Sequence, residues 1–196
     1  MIITKGDALS SGLVRRHGFI GGKSHMASII LANAEGICGM SAAIDSLLTG
    51  GSALKAVEEG IRVVELDPTI STVGFGGAPN ILGEVECDAS IMCGVTLRTG
   101  SVGALKGYFH AISVARQIME RMPHVLLVGE GAAMFAAEIN ESRGRMLSPR
   151  AETEYEQWIK KTFQLIHIPT GQIYPLSLYH GLPLSSLRKQ VQHAFL

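Results

Sequence analysis

The spacing of apolar residues changes along the chain, and it predicts helices in some segments and strands in others. Apolar residues three or four positions apart predict five helices. They are a helix with Met40, Ile44, Leu47 and Leu48 on its inner face, a helix capped by Ser52, and the segments Ala111–Met122, Gly131–Ile139 and Pro149–Lys161. Glycine or proline is expected to end the first three helices, at Gly50, Pro68 and Pro123.

Strict alternation of apolar and polar residues indicates a half-buried strand in which Val85, Cys87, Ala89 and Ile91 face inward. Further strands are predicted at Ser28–Ala32, Ser101–Leu105 and His124–Val128, and two strand-like runs follow Lys161, at Phe163–Ile168 and Gln172–Tyr179. The order of elements predicts layered α/β or α+β packing, with helices covering a sheet. The tail after Lys161 does not continue the pattern that precedes it.

Composition and charge narrow the classes of function. Hydrophobic residues make up 46% of the 196-residue chain, and its 17 basic and 17 acidic residues cancel. This balance gives no reason to expect nucleic acid or a membrane surface as a partner. Three cysteines suggest neither a disulfide framework nor a zinc site. We expect no metal and no cofactor. The first twenty residues lack the continuous apolar run of a secretory signal, and the cytoplasm is the expected compartment.

Three polar residues beside apolar runs are interpreted as structural. Asp88 lies in the alternating strand, where we expect a buried carboxylate that accepts hydrogen bonds. Glu130 stands between two glycines at a strand-to-helix turn and is expected to stabilise the positive end of that helix. His124 precedes an apolar strand and is expected at its edge.

The densest glycine cluster lies in Thr72–Asn80, which contains Gly74, Gly76 and Gly77. A phosphate-binding loop would have the GxGxxG spacing and a helix directly after it, and this segment has neither. A turn that needs positive φ, or a close approach of the backbone, is the structural interpretation.

Six separate blocks carry a resemblance to a known family. They are Gly50–Glu58, Thr72–Pro79, Asp88–Met92, Gly100–Gly107, Ile112–Glu120 and Pro123–Gly131. In this order they resemble the glycosylasparaginase, isoaspartyl peptidase and plant-type asparaginase family of N-terminal-nucleophile hydrolases. Three positions depart from the family pattern, because Lys55 and Cys93 replace aspartates and Ala111 replaces a proline.

The resemblance implies an α+β fold, a four-layer αββα sandwich of the N-terminal-nucleophile hydrolase type, of which this chain supplies the α-subunit half. We accordingly divide the chain into a leader or extra N-terminal segment at 1–27, an α-subunit-like part at 28–161 and a divergent tail at 162–196. Asn33 and Glu35 lie where relatives place α-chain residues that face the substrate.

The resemblance also implies a chemistry. The enzymes of this family cleave themselves before a threonine. The freed threonine attacks the side-chain amide of asparagine, or a β-aspartyl bond, with its own α-amino group as the base. That threonine typically follows His-Asp, and this chain has no His-Asp-Thr sequence. Thr170 is the nearest substitute, but too few residues follow it to build a second sheet, so we interpret it as the turn of a hairpin. A missing β-subunit is therefore expected to carry the nucleophile, and this chain is expected to be inactive alone.

Partners and alternatives follow from the same resemblance. In the family the subunits form αβ pairs, usually two of them, so a β-subunit half or a homo-oligomer is expected, with a small-molecule amide as substrate. One alternative is a non-catalytic truncated homologue, or a module that binds a small amide or a partner chain. The abrupt loss of resemblance after Lys161 also fits a fragment produced by a frameshift or an early stop.

Overall fold

The computed structural model describes residues 2–5 and 28–165, which contain strands, α-helices and one 3-10 helix. The strands are β1 (Ile2–Lys5), β2 (Ser28–Leu31), β3 (Glu86–Met92), β4 (Thr99–Lys106) and β5 (Leu126–Val128). The α-helices are α1 (Met40–Leu48), α2 (Ala53–Leu66), α3 (Ala111–Arg121), α4 (Gly129–Glu138) and α5 (Pro149–Leu165), and the 3-10 helix spans Ala34–Gly39. The elements belong to two compact units that divide between Val63 and Val64, inside α2.

In the first unit, β1 and β2 pair antiparallel, with Ile2 opposite Leu31. β1 lies within residues 1–27, which were assigned to a leader or extra N-terminal segment and in which no strand was predicted. The cap predicted for α2 is confirmed, because the Ser52 hydroxyl oxygen accepts a hydrogen bond from the Lys55 backbone N–H at 3.2 Å. Gly50 follows α1 with a φ of 87°, which suits a glycine at a helix end.

The inner face of α1 differs from the prediction. Ala43 and Ser46 are its buried residues, whereas Ile44 and Leu48 are 42% and 79% exposed. Apolar spacing alone does not decide which side of a helix is covered, since small side chains allow the closest approach. Ile44 and Leu48 therefore lie in solvent, whereas Met40 and Leu47 of the predicted face are half-buried.

The second unit contains a three-stranded sheet in the order β3-β4-β5. β3 and β4 are antiparallel, whereas β4 and β5 are parallel. The register shifts between Cys87 and Ala89, so that Gly103 and Ala104 together lie opposite Asp88. This is a β-bulge on β4, and the extra residue, Ala104, has a φ of 50°.

α3 covers one face of this sheet and supplies much of the core. Its buried residues are Ala111, Ile112, Ser113, Val114, Ala115, Ile118 and Met119. The helix lies so close to β4 that a Cβ atom at Gly100 would come within 2.2 Å of the Ala115 carbonyl oxygen. The Arg98 guanidinium donates to the Met119 carbonyl oxygen, near the end of the helix where carbonyls lack partners within the helix.

α5 is longer than predicted and ends at Leu165. The prediction of a strand that begins at Phe163 is therefore wrong over its first three residues. Tyr155 and Ile159 are buried four residues apart, and position 163 continues this helical spacing. The rest of that run and the predicted strand Gln172–Tyr179 lie outside the described residues.

The described part of the chain is thus a mixed α and β structure in which helices cover a small sheet, as the order of elements predicted. Within residues 2–5 and 28–165, no helix is long and apolar enough to cross a lipid bilayer.

Candidate functional site

Asn33 and Glu35 lie directly after β2, at the start of the 3-10 helix, and both are exposed. The Asn33 side-chain oxygen accepts a hydrogen bond from the Gly36 backbone N–H at 3.0 Å and so caps this helix. The Asn33 side chain therefore has a local structural role, and a role for either residue toward a substrate stays a prediction. Thr170 lies outside the described residues.

The glycine-rich segment does not offer its amides to a ligand. The N–H groups of Phe75, Gly76, Gly77 and Ala78 donate to backbone carbonyls at 2.6, 2.8, 3.0 and 2.9 Å. A phosphate-binding loop needs such groups free to point at the phosphate. The interpretation of Thr72–Asn80 as a structural turn is consistent with this geometry.

The glycines of this segment are required by close packing. Gly74 has a φ of 63°, and a Cβ atom there would lie 2.1 Å from the Glu65 carbonyl oxygen. Gly76 has a φ of 91°, and its Cβ atom would lie 2.8 Å from the Ser148 hydroxyl oxygen. Both positions combine a backbone conformation that favours glycine with a space that excludes a side chain.

Glu65 and His110 form a buried pair beneath this segment. Each side chain is 6% exposed, and 3.6 Å separate His110 Nδ1 from Glu65 Oε2. The other carboxylate oxygen, Oε1, accepts a hydrogen bond from the Ile112 backbone N–H at 2.9 Å. Glu65 thereby caps the first turn of α3, where the helix dipole favours a negative charge.

Sequence reasoning missed this pair, although the signal for Glu65 was present. Glu65 follows Ile61 by four residues and Val64 by one, so it lies on the apolar side of an amphipathic helix. An acidic residue in that position needs a buried partner. His110 gave no comparable signal, because it is contributed by a loop.

The two cysteines of the sheet region have opposite environments. Burial, aided by the negative charge of Glu65, raises the pKa of the Cys87 thiol to about 11. Hydrogen bonds from the Thr96 hydroxyl, and then from the backbone N–H groups of Thr96 and Val95, lower the pKa of the Cys93 thiol. Cys93 is therefore the more readily ionised of these two thiols.

Asp88 is exposed, so the prediction of a buried carboxylate is wrong, but the predicted hydrogen bond is present. Its Oδ1 atom accepts from the Ala104 backbone N–H at 2.7 Å. Ala104 is the extra residue of the bulge, and the ladder offers its N–H no regular partner. Asp88 therefore completes the hydrogen bonding of the β3–β4 hairpin from the face that α3 does not cover.

That outer face of the sheet carries apolar side chains in solvent. Met92, Leu126 and Val128 are 57%, 51% and 57% exposed. At the other end of β3 the face is charged, with Lys106 Nζ 2.8 Å from a Glu84 oxygen and 3.0 Å from a Glu86 oxygen. An apolar sheet face of this kind is normally covered by another layer.

Of the two remaining polar residues, Glu130 lies where it was predicted, whereas His124 lies outside the strand that was predicted to begin with it. Glu130 is an exposed residue in the first turn of α4, where the N-terminal end of the helix favours a carboxylate. His124 is exposed and lies two residues before β5.

Comparison with known proteins extends this picture. The sequence profile of the family described as "Asparaginase" matches residues 30–166. The chain is 45% identical over 114 residues to N(4)-(Beta-N-acetylglucosaminyl)-L-asparaginase of Elizabethkingia miricola, an overlap that covers 58% of this chain and 33% of that protein. It is 48% identical over 111 residues to a plant-type L-asparaginase of Pyrococcus horikoshii, covering 57% of this chain and 35% of the relative.

A mouse protein named isoaspartyl peptidase/L-asparaginase is 42% identical over 93 residues, which cover 47% of this chain and 28% of that protein. The chain thus spans about a third of the length of these curated relatives. The profile match covers well over half of the chain and begins at β2 and ends with α5. The chain therefore belongs to the asparaginase family, whose fold is that of the N-terminal-nucleophile hydrolases.

Proposed function

We propose that this chain is the α-subunit-like part of an amidohydrolase that cleaves the side-chain amide of asparagine, the N-glycosylated amide or a β-aspartyl bond. The observation that carries the proposal is the profile match over residues 30–166, together with three relatives whose names specify these amide substrates. The nucleophile is a threonine freed by autoproteolysis, and it lies in sequence that these residues do not include. The chain alone is inactive.

The proposed reaction needs no redox step. The threonine hydroxyl attacks the amide carbon while the threonine α-amino group takes the hydroxyl proton. Collapse of the tetrahedral intermediate breaks the C–N bond, and the amine or ammonia leaves with that proton. Water then hydrolyses the aspartyl ester, which releases the carboxylate and restores the threonine. In this proposal the described residues supply scaffold for the site, with Glu65 accepting from the Ile112 N–H and Asp88 from the Ala104 N–H.

The outer face of the β3-β4-β5 sheet supports the need for a second part. Exposed Met92, Leu126 and Val128 would be buried by a second sheet that packs face to face, roughly 10 Å away. Together with the helices on the opposite face, that arrangement gives three layers, and helices on the far side of the second sheet complete the αββα sandwich of this proposal. The partner in this proposal is the β-subunit region of the hydrolase, and two αβ pairs form the assembly.

The first test is an assay of the purified chain. Asparagine, N-acetylglucosaminyl-asparagine and a β-aspartyl dipeptide are offered separately, and released ammonia or aspartate is measured. We expect no product above the blank. Turnover that Thr170→Ala abolishes would contradict the proposal that the nucleophile lies elsewhere.

The second test asks whether this scaffold supports catalysis. The segment of the Elizabethkingia miricola relative that matches this chain is replaced by the corresponding residues of this chain. We expect the chimera to cleave itself and to release aspartate from the glycosylated substrate. A chimera that unfolds cooperatively but neither cleaves itself nor releases aspartate would favour a non-catalytic homologue instead.

A further inference from the structure

The side chain of Arg150, in the first turn of α5, contacts both ends of the loop Pro68–Gly76, which overlaps the start of the glycine-rich segment. The Arg150 Nε atom donates to the Pro68 carbonyl oxygen at 3.1 Å, and Nη2 donates to the Gly76 carbonyl oxygen at 3.1 Å. Nη1 donates to both carboxylate oxygens of Glu154, at 2.9 and 2.8 Å. All three nitrogens of the guanidinium are therefore engaged, two of them by backbone that lies eight residues apart.

The loop between these two carbonyls is also held by backbone hydrogen bonds, including the one from the Ala78 N–H to the Ser71 carbonyl oxygen at 2.9 Å, and Arg150 adds a side-chain link between its two ends. Its tip, Ser71–Val73, is exposed, and Gly74 and Gly76 allow many backbone conformations. Ordering such a stretch costs backbone conformational entropy at each residue. A contact that joins both ends of the loop offsets part of that cost.

α5 makes a second attachment further along the helix. The Tyr155 hydroxyl, five residues after Arg150, donates to the Ile81 carbonyl oxygen at 2.9 Å. The segment before α5 contributes as well, because the Met146 carbonyl oxygen accepts from the Gly76 N–H at 2.8 Å. Residues 146–155 therefore contact the chain on both sides of the loop tip, at Pro68, Gly76 and Ile81.

We infer that Arg150 is a positioning residue that ties the two ends of the loop to α5 and so keeps its exposed tip, Ser71–Val73, in one place. Arginine suits this role because its planar guanidinium directs several donors in fixed directions. A lysine at position 150 would present one compact charge and could not satisfy both carbonyls and Glu154 with the same geometry.

Hydrogen exchange on the full chain tests this inference. The probes are the amides of Phe75, Gly76 and Ala78, each of which donates to a backbone carbonyl. In Arg150→Met we expect their exchange to be faster by roughly tenfold or more, because hydrogen bonds to a charged group are lost at both ends of the loop. The Met122 amide at the end of α3, which donates to the Ile118 carbonyl oxygen, is expected to keep its rate.

Two further variants sharpen the result. Arg145→Met removes an arginine that precedes α5 and pairs with Glu152 of that helix, and it is expected to leave the exchange of the loop amides unchanged. Arg150→Lys should restore only part of the protection. Unchanged loop exchange in Arg150→Met would overturn the inference, and so would an equal acceleration at Met122, which would indicate global destabilisation. Exchange requires no turnover, so its outcome is independent of whether the chain belongs to an active hydrolase.

Discussion

Removal of the buried carboxylate of Glu65 should destabilise the second unit strongly. In Glu65→Ala the Ile112 N–H loses a charged acceptor at 2.9 Å, and hydrogen bonds to charged groups contribute about 1.5–3 kcal/mol. Breaking a buried pair costs about 3–5 kcal/mol, and the 3.6 Å distance to His110 Nδ1 is too long for a full hydrogen bond. We therefore expect a loss of about 3 kcal/mol, a large share of the roughly 5–15 kcal/mol that stabilises a domain.

The measurement is urea unfolding of the full chain, with the free energy obtained by linear extrapolation at an unchanged slope. Glu65→Gln should cost about half as much as Glu65→Ala, because the amide oxygen still accepts from Ile112 but without a charge. The control is Glu120→Ala, which breaks an exposed pair with Arg116 and is expected to cost about 0.5 kcal/mol or less. If Glu65→Ala loses no more than this control, the carboxylate does not hold α3 as described.

Two further predictions concern packing and thiol chemistry. Gly100→Ala should destabilise the chain by about 1–3 kcal/mol, because its Cβ atom would meet the backbone of α3, whereas Gly94→Ala, with nothing within 4 Å, should be nearly neutral in the same urea assay. Cys93 should react with iodoacetamide faster than Cys87 at every pH below about 11, since only the thiolate reacts and the pKa of Cys87 is raised to about 11. Thr96→Val should slow the alkylation of Cys93, as followed by mass spectrometry of native protein, and equal rates at the two cysteines would contradict the described environments.

Local periodicity was sufficient to predict most helices and strands of this chain. α3 and β3 follow directly from spacings of three to four and of two, because each element buries one continuous face. The same spacing could not identify the buried side of α1, since Ile44 and Leu48 satisfy the pattern without being covered. It also could not distinguish the end of α5 from the start of a strand at Phe163, where one apolar residue fits both periods.

Pairings between residues distant in the sequence were less predictable. Glu65 and His110 are 45 positions apart in the sequence, and only Glu65 could be recognised from the helical pattern. The β-bulge left none, because Ala104 is not a residue type that usually adopts positive φ. The family could be identified from six blocks of residues, but the roles of Asn33 and Glu35 stay predictions, since the structure shows only the cap that Asn33 provides.

Because of the β-bulge opposite Asp88, an aspartate at this position in a related sequence has a structural explanation. The Asp88 carboxylate satisfies the N–H of Ala104 whether or not the protein ever turns over a substrate. A lineage that lost its activity but kept its hairpin would be under pressure to retain that side chain. The presence of aspartate there therefore reports on the integrity of the hairpin, and it cannot serve to separate working hydrolases from inert copies.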